Sequence, residues 1–348
     1  MAMRRIAVSP DQRGFVFAGT QEAFRPWGMN YGNAGRLMED FWDGEWSTLE
    51  DDFRELKALG ANVVRVHLQF GRFIEGTNSV NPLAFRQLRR LLKLAEETGL
   101  YLDVTGLACY RKADVPAWYD ALNEEARWRT QAFFWRTVAA HCAQSPAVFC
   151  YDLINEPLAP SDKRKSGDWY SGKPFGGYDF LQFIALDPAG RKREDIAVAW
   201  IEMMTHAIRE KDPSRPITVG LLPWVKGWGH LCGFTPEKVA AKLDFMSVHI
   251  YPDSKKLDES DEALRRVAVG KPVVIEETFA LSCSTPELEA FLRSSRTLAC
   301  GWVGHYDGTT LEELDKRANE KKITIAEAMM RDWLKLFVKL KPELVRGQ

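Results

Sequence analysis

A closed barrel of eight parallel strands wrapped by helices, a (β/α)8 TIM barrel, is the fold class this sequence predicts. Three observations predict it. Strand-like and helix-like stretches alternate eight times along 348 residues, and such alternation implies a parallel sheet with helical crossovers. No G-x-G-x-x-G run follows the first strand, as an open dinucleotide-binding sheet would require. Two of the strands run straight into a carboxylate at their carboxyl ends, where barrels of this kind keep their working groups.

The elements follow in order. Residues 1–25 read as a hairpin, with turns at Pro10-Asp11 and Gly19-Thr20, that caps a barrel formed by residues 26–348. Strands are expected at 26–31, 62–68, 100–105, 148–155, 217–221, 244–251, 272–277 and 299–305. Helices between them carry start and stop signals. Ser47-Thr48-Leu49-Glu50 and Thr324-Ile325-Ala326-Glu327 have capping-box spacing, and Asn81-Pro82, Thr235-Pro236 and Thr285-Pro286 place a cap residue before a first-turn proline. Gly60, Gly99 and Gly270 end helices just before a strand. Apolar residues such as Leu49, Phe53 and Leu56, or Phe85, Leu88 and Leu92, recur at helical spacing and should pack on the sheet. The surplus over a minimal barrel lies in a single-domain chain's long loop at 157–194 and in a charged helical insertion at 307–322.

Composition narrows the partners. Lysine plus arginine (47) nearly balance aspartate plus glutamate (48), so no global field recruits nucleic acid or an anionic membrane. An apolar fraction of 45% suits a globular core. The basic first residues are followed by no apolar run of signal-peptide length, and no stretch approaches a membrane span. Six scattered cysteines lack C-x-x-C spacing and read as buried thiols, neither a disulfide framework nor a zinc site. An uncharged small-molecule or glycan partner, a monomeric state and no cofactor are the expectations.

The chemistry concentrates at strand ends. Glu156, in Asn155-Glu156-Pro157, is presented where proline stops the fourth strand. Glu276 and Glu277 close the seventh strand, and strand alternation lets at most one of them aim at the barrel axis, although bulges at barrel rims reset that alternation. Arg65 interrupts the apolar run Val63-Val64-Arg65-Val66 and needs an anionic partner; His67 shares its face and reads equally well as a core histidine. His249 and Tyr251 are likewise on one face of the sixth strand, where an imidazole and a phenol would orient and tune a carboxylate. Two carboxyls across a barrel mouth are what cleavage of a glycosidic bond requires, one to protonate the leaving oxygen and one to meet the anomeric carbon. Asn30 on the first strand joins Arg65, Asn155, His249, Tyr251, Trp302, Trp169 and Trp224 as a candidate substrate-binding residue. Trp169, Tyr170, Phe175 and Tyr178 in the 157–194 loop, with Trp224 and Trp228 further on, could stack on sugar rings or simply pack the loop. The basic clusters Lys163-Arg164-Lys165 and Arg191-Lys192-Arg193 read as solvated.

On these residues the chain resembles glycoside hydrolase family 5 and its clan of retaining (β/α)8 glycosidases, over roughly residues 24–333. The carrying motifs are Arg65, Asn155-Glu156-Pro157, His249-Ile250-Tyr251-Pro252 and Lys271-Pro272-Val273-Val274-Ile275-Glu276-Glu277. The resemblance implies a cellulase- or mannanase-like hydrolase that cleaves β-glycosidic bonds of a neutral saccharide by double displacement. It implies Glu156 as general acid/base, Asn155 on the sugar 2-hydroxyl and Glu277 as nucleophile, six residues after the lysine of the Lys-Pro pair. Arg65 and Tyr251 would contact that nucleophile, and His249 would line the reactive subsite. The sequence departs from the family in reading Thr105-Gly106-Leu107-Ala108 where many members have a histidine after strand three. It also reads Gly301-Trp302-Val303-Gly304-His305-Tyr306 where they have a tryptophan at the tip of strand eight, so the sugar platform falls to Trp302, His305 or Tyr306. Two rival readings are a metal-dependent barrel hydrolase using His249, Asp253 and Glu276, and a non-catalytic carbohydrate-binding barrel. No H-x-H or H-E-x-x-H spacing supports the first, and the retained carboxylates count against the second.

Overall fold

The computed structural model describes residues 3–33, 35–36, 38–164, 167–172, 175–223 and 232–345. Eight parallel strands close on themselves. They are β1 (Trp27–Tyr31), β2 (Val63–Gln69), β3 (Tyr101–Ala108), β4 (Val148–Asn155), β5 (Ile217–Leu221), β6 (Met246–His249), β7 (Val273–Glu277) and β8 (Gly301–Tyr306). Each pairs with its neighbours in sequence, and β8 closes on β1 through five successive partners from Trp302↔Trp27 to Tyr306↔Tyr31. All eight expected strands are present, shifted at their ends by three residues or fewer.

The long helices α1 (Trp46–Leu59), α2 (Pro82–Thr98), α3 (Glu124–Cys142), α4 (Arg193–Arg209), α5 (Leu257–Val267), α6 (Thr285–Ser295), α7 (Leu311–Asn319) and α8 (Ile325–Leu344) form the outer layer. Their caps follow local chemistry with two corrections. Thr324 and Glu327 form the expected capping box on α8, and the Asn81 side chain accepts from the Leu83 amide. The Ser47–Glu50 box does not form, because α1 begins two residues earlier than that box requires, at Trp46 behind Glu45. On α6 the cap is Ser284 in a box with Glu287, which places Thr285 inside the helix. Gly60 and Gly99 close α1 and α2 in the left-handed region that a side chain disfavours.

The amino-terminal segment is a three-stranded antiparallel sheet (Ile6–Val8, Phe15–Phe17, Ala23–Phe24). Ile6, Phe15 and Phe24 pack with Val63, Tyr101, Phe149, Phe245, Val274 and Val303 from the amino-terminal ends of the strands. Phe15 meets Phe149 and Phe245 edge-on at 4.9 and 5.1 Å. This plug seals the end of the barrel opposite the carboxylates. Phe15→Ala should therefore lower the unfolding free energy by about 3–5 kcal/mol, the usual cost of emptying a buried phenylalanine site. Chemical denaturation that found under about 1 kcal/mol would show the plug to be dispensable.

Four of the six cysteines are buried, Cys283 and Cys300 are partly so, and all six are free thiols. Among the described residues no helix is long and apolar enough to cross a membrane.

Candidate active site

Arg65 organises the floor of the site. Its guanidinium, without accessible surface, donates from Nε to Thr105 Oγ1 (2.8 Å), from Nη1 to Glu277 Oε1 (2.6 Å) and Asn30 Oδ1 (2.9 Å), and from Nη2 to Asp152 Oδ2 (2.7 Å) and Asn155 Oδ1 (3.1 Å). A buried cation is tolerable only with its donors spent in this way. Asp152 and Asn155 are three apart on β4, so simple alternation would send them to opposite faces. A register shift between β4 and β5, where Gly220 pairs with Asn155 two residues after Thr218 pairs with Asp152, brings both to Arg65.

A second register shift resolves the twin glutamates. Between β6 and β7, Val248 faces Ile275 and His249 faces Glu277, so one residue on β6 opposes two on β7. The bulge turns both Glu276 and Glu277 towards the barrel interior, overturning the expectation that at most one could aim there. They occupy different depths: Glu277 is 6% exposed, Glu276 has no accessible surface.

Glu277 is held from two sides. The Tyr251 hydroxyl donates to Glu277 Oε2 at 2.6 Å and lies 2.8 Å from His305 Nε2. Because the phenol's single hydrogen goes to the carboxylate, His305 must donate through Nε2 to the phenol oxygen. Burial opposes ionisation of Glu277, but His249 and Arg65 outweigh it and hold the carboxyl well below the usual glutamate range. His249 Nδ1 lies 3.0 Å from Glu156 Oε1 and 3.5 Å from Glu277 Oε2. Burial works against its charge too, yet Glu277, Glu156 and Glu276 push it up to about 10, which favours an imidazolium between the two carboxyl groups. One donor atom from each of Glu156, His249 and Glu277 lies within 4.8 Å of the others. Of the metal reading's His249, Asp253 and Glu276, only His249 is in this group.

Glu156 sits at φ 45°, a left-handed conformation that costs a non-glycine residue about 1 kcal/mol or more. Its amide donates to Gly220 O at 2.8 Å, which ties the strained turn to β5 and leaves the side chain 15% exposed at the mouth.

Other expectations are placed differently. Asn30 is fully buried; its amide donates to Glu276 O and Gly304 O and its carbonyl accepts from Arg65, so nothing remains for substrate. Arg65 is equally inaccessible and acts on Glu277 instead. Trp302 is 1% exposed and points out of the barrel, donating to Ser295 Oγ on α6 and meeting Trp27 edge-on, so it is no sugar platform. Tyr306 also faces outward, against Tyr31. His305 is the strand-eight side chain beside Glu277, its ring lying 19° from that of Tyr251. Strand β8 is pinned there by α8: Trp333 donates to His305 O, and a Cβ on Gly304 would fall 1.9 Å from the Trp333 ring.

In the loop after β4 the packing reading holds for both tryptophan and tyrosine. Trp169 is 3% exposed, donates to Asp120 O and lies under the Arg127 guanidinium at 4.0 Å, while the Tyr170 hydroxyl donates to Cys109 O. Phe175, in contrast, is 70% exposed. Arg164 lies over Phe183 and donates to Ala185 O, Arg191 is bidentate on Glu124, and Arg193 donates to Ala159 O, so these basic residues stitch the loop down rather than float in solvent. Trp224 and Trp228 lie outside the described residues. Sequence reasoning missed Asp103, Thr105 and Asp152. Their signal was a polar side chain inside an apolar strand, as at Arg65.

A closed (β/α)8 barrel with two carboxylates facing each other at the carboxyl ends of β4 and β7 defines a barrel hydrolase of the glycosidase class. Residues 22–307 match the cellulase family, glycosyl hydrolase family 5, and the chain belongs to that family. It is a glycosidase. Among solved structures it is similar to the exo-β-1,4-mannosidase Op5Man5 from Opitutaceae bacterium strain TAV5 (18% identity, TM-score 0.70), covering 97% of this chain and 62% of that one. It is also similar to the β-1,4-mannanases of the sea hare Aplysia kurodai (16%, 0.66, 99% of both chains) and the blue mussel Mytilus edulis (16%, 0.65, 100% and 99%). At these identities the likeness speaks for the fold. A search of curated proteins found no match.

Proposed function

We propose that this glycosidase cleaves β-1,4-linked mannosides with retention of configuration, Glu277 acting as nucleophile and Glu156 as acid/base. One observation carries the reading of mechanism: donor oxygens of Glu156 and Glu277 approach within 4.8 Å. Retaining enzymes keep their carboxyls about 5–5.5 Å apart, whereas inverting ones need about 6.5–9.5 Å to admit a water. In the first step a Glu277 oxygen bonds to the anomeric carbon as the bond to the leaving oxygen breaks, and that oxygen takes the proton of Glu156. In the second, Glu156 removes a proton from water, the water oxygen bonds to the anomeric carbon, and the ester to Glu277 breaks. The hydrogen bonds from Arg65 and Tyr251 keep Glu277 ionised for attack. The Asn155 carbonyl is occupied by Arg65, which leaves its amide to donate to the 2-hydroxyl.

The mannoside assignment is supported by the three mannan- and mannoside-cleaving enzymes among the similar structures. Proton NMR of the first-formed sugar from a β-1,4-mannooligosaccharide should show the β anomer before mutarotation. Appearance of the α anomer first would overturn the mechanism, and turnover confined to β-glucosides or β-xylosides would overturn the sugar.

A further inference from the structure

Beneath the catalytic carboxylates, besides Asp152, whose Oδ2 accepts from Arg65 and Thr105, lie two more, Asp103 on β3 and Glu276 on β7, both without accessible surface. Among the described residues no group donates a hydrogen bond to any of their four oxygens. Two buried carboxylates with no donor between them cannot both be ionised at reasonable cost; sharing one proton satisfies both. The surroundings decide which carries it. Burial, then the charge of Glu276, holds the Asp103 carboxyl well above its ordinary range, whereas for Glu276 burial is outweighed by Arg65 and His249. Asp103 is thus the acid that donates, and Glu276 carries the charge.

That charge faces His249. Glu276 Oε2 lies 3.6 Å from His249 Nε2, for which no described residue is a hydrogen-bond partner, and 3.8 Å from Arg65 Nη2. The approach depends on Gly220: a Cβ there would fall 2.9 Å from His249 Nε2, 3.0 Å from Arg65 Nη2 and 3.1 Å from Glu276 Oε2. The titratable and charged groups facing the ring are therefore Glu156 from β4, Glu276 and Glu277 from β7, Arg65 and His67 from β2, and His305 from β8. The three carboxyl groups favour its charge, and that charge in turn lowers His67 and His305.

We propose that Glu276 is a positioning residue which, with Asp103 holding their shared proton, keeps His249 an imidazolium from below, so that Nδ1–H stays directed at the two catalytic carboxylates. The proposal rests on the roles given to Glu156 and Glu277, but its decisive readout does not. In the full chain, 15N NMR of the His249 ring from about pH 5 to about pH 11 should show it protonated to about pH 9 and titrating above that. In Glu276→Gln, which keeps the shape and removes the charge, the ring should titrate at least about one unit lower. The basic limb of kcat/KM should fall with it. Asp103→Asn retains a donor to Glu276 and should move His249 by less than about half a unit, while removing from the neutral-pH infrared difference spectrum one protonated-carboxyl component that persists in Glu39→Gln and Asp152→Asn, two other buried carboxyls that burial pushes up. An unmoved His249 in Glu276→Gln, an equal fall in both variants, or no such component in the wild type would each overturn the proposal. Should Glu276→Gln fail to fold, the infrared comparison and the Asp103→Asn titration decide it alone. An inverting stereochemical result would refute the mechanism above yet leave these spectra standing.

Discussion

Glu277→Ala should leave a folded barrel whose turnover of every glycoside falls by about four orders of magnitude or more. The size of the effect follows from the role proposed for the carboxylate, bonding to the anomeric carbon, and its removal leaves the Arg65 guanidinium and Tyr251 hydroxyl aimed at empty space. Adding azide distinguishes lost chemistry from lost structure. A small anion entering the vacated position attacks from the same face as Glu277 and yields the α-glycosyl azide from a β-substrate. In the wild type, a slow-reacting fluorinated substrate should esterify Glu277, locatable by peptide mass mapping. A label on Glu276 would reverse the assignment of the pair. Since Arg65 and His249 hold Glu277 ionised well below the usual glutamate range, activity should persist to more acidic pH than an ordinary carboxylate nucleophile allows. An acidic limb at the unperturbed glutamate value, about 4.3, would show that this network does not act on the nucleophile.

Glu156→Ala should divide substrates by leaving group. Proton delivery in the transition state is worth about 10²–10⁴-fold, so hydrolysis of an unactivated oligosaccharide should fall by that factor. An aryl glycoside with an acidic phenol needs no such help in the first step, and its kcat/KM should stay within about tenfold of the wild type. Its kcat should drop nonetheless, because the glycosyl ester on Glu277 then waits for a water that no base activates. Azide should relieve that wait and give the β-glycosyl azide, the anomer opposite to that from Glu277→Ala. Equal losses on both substrates, or the α azide, would remove Glu156 from the acid/base role.

Much of this was legible without coordinates, because it depends on short-range rules. The eight strands show as apolar runs bounded by glycine, proline and capping residues, and their alternation with helices of matching periodicity admits few topologies. Glu156, Glu277, Arg65, His249 and Tyr251 stood out as polar side chains where a strand should be apolar, and the barrel gives strand ends a common mouth. The amino-acid order could not say which side chains reach that mouth. Trp302 and His305 are three apart on β8, so the pleat sends them to opposite faces, but only the packing of Trp333 against Gly304 shows that the indole goes outward and the imidazole inward. Trp169 and Tyr170 look like sugar platforms in sequence and became loop packing once Arg127, Asp120 and Cys109 met them. Asp103 shares a face with Arg65 across the regular β2–β3 pairing, but Asp152 with Asn155, and Glu276 with Glu277, reach the same interior only through register shifts in β4 and β7, each one extra residue that turns a side chain to the other face. Periodicity, turns and caps are written along the chain and determined the fold class and the candidates. Facing and depth are relations between strands far apart in sequence, and only the closed barrel decided them.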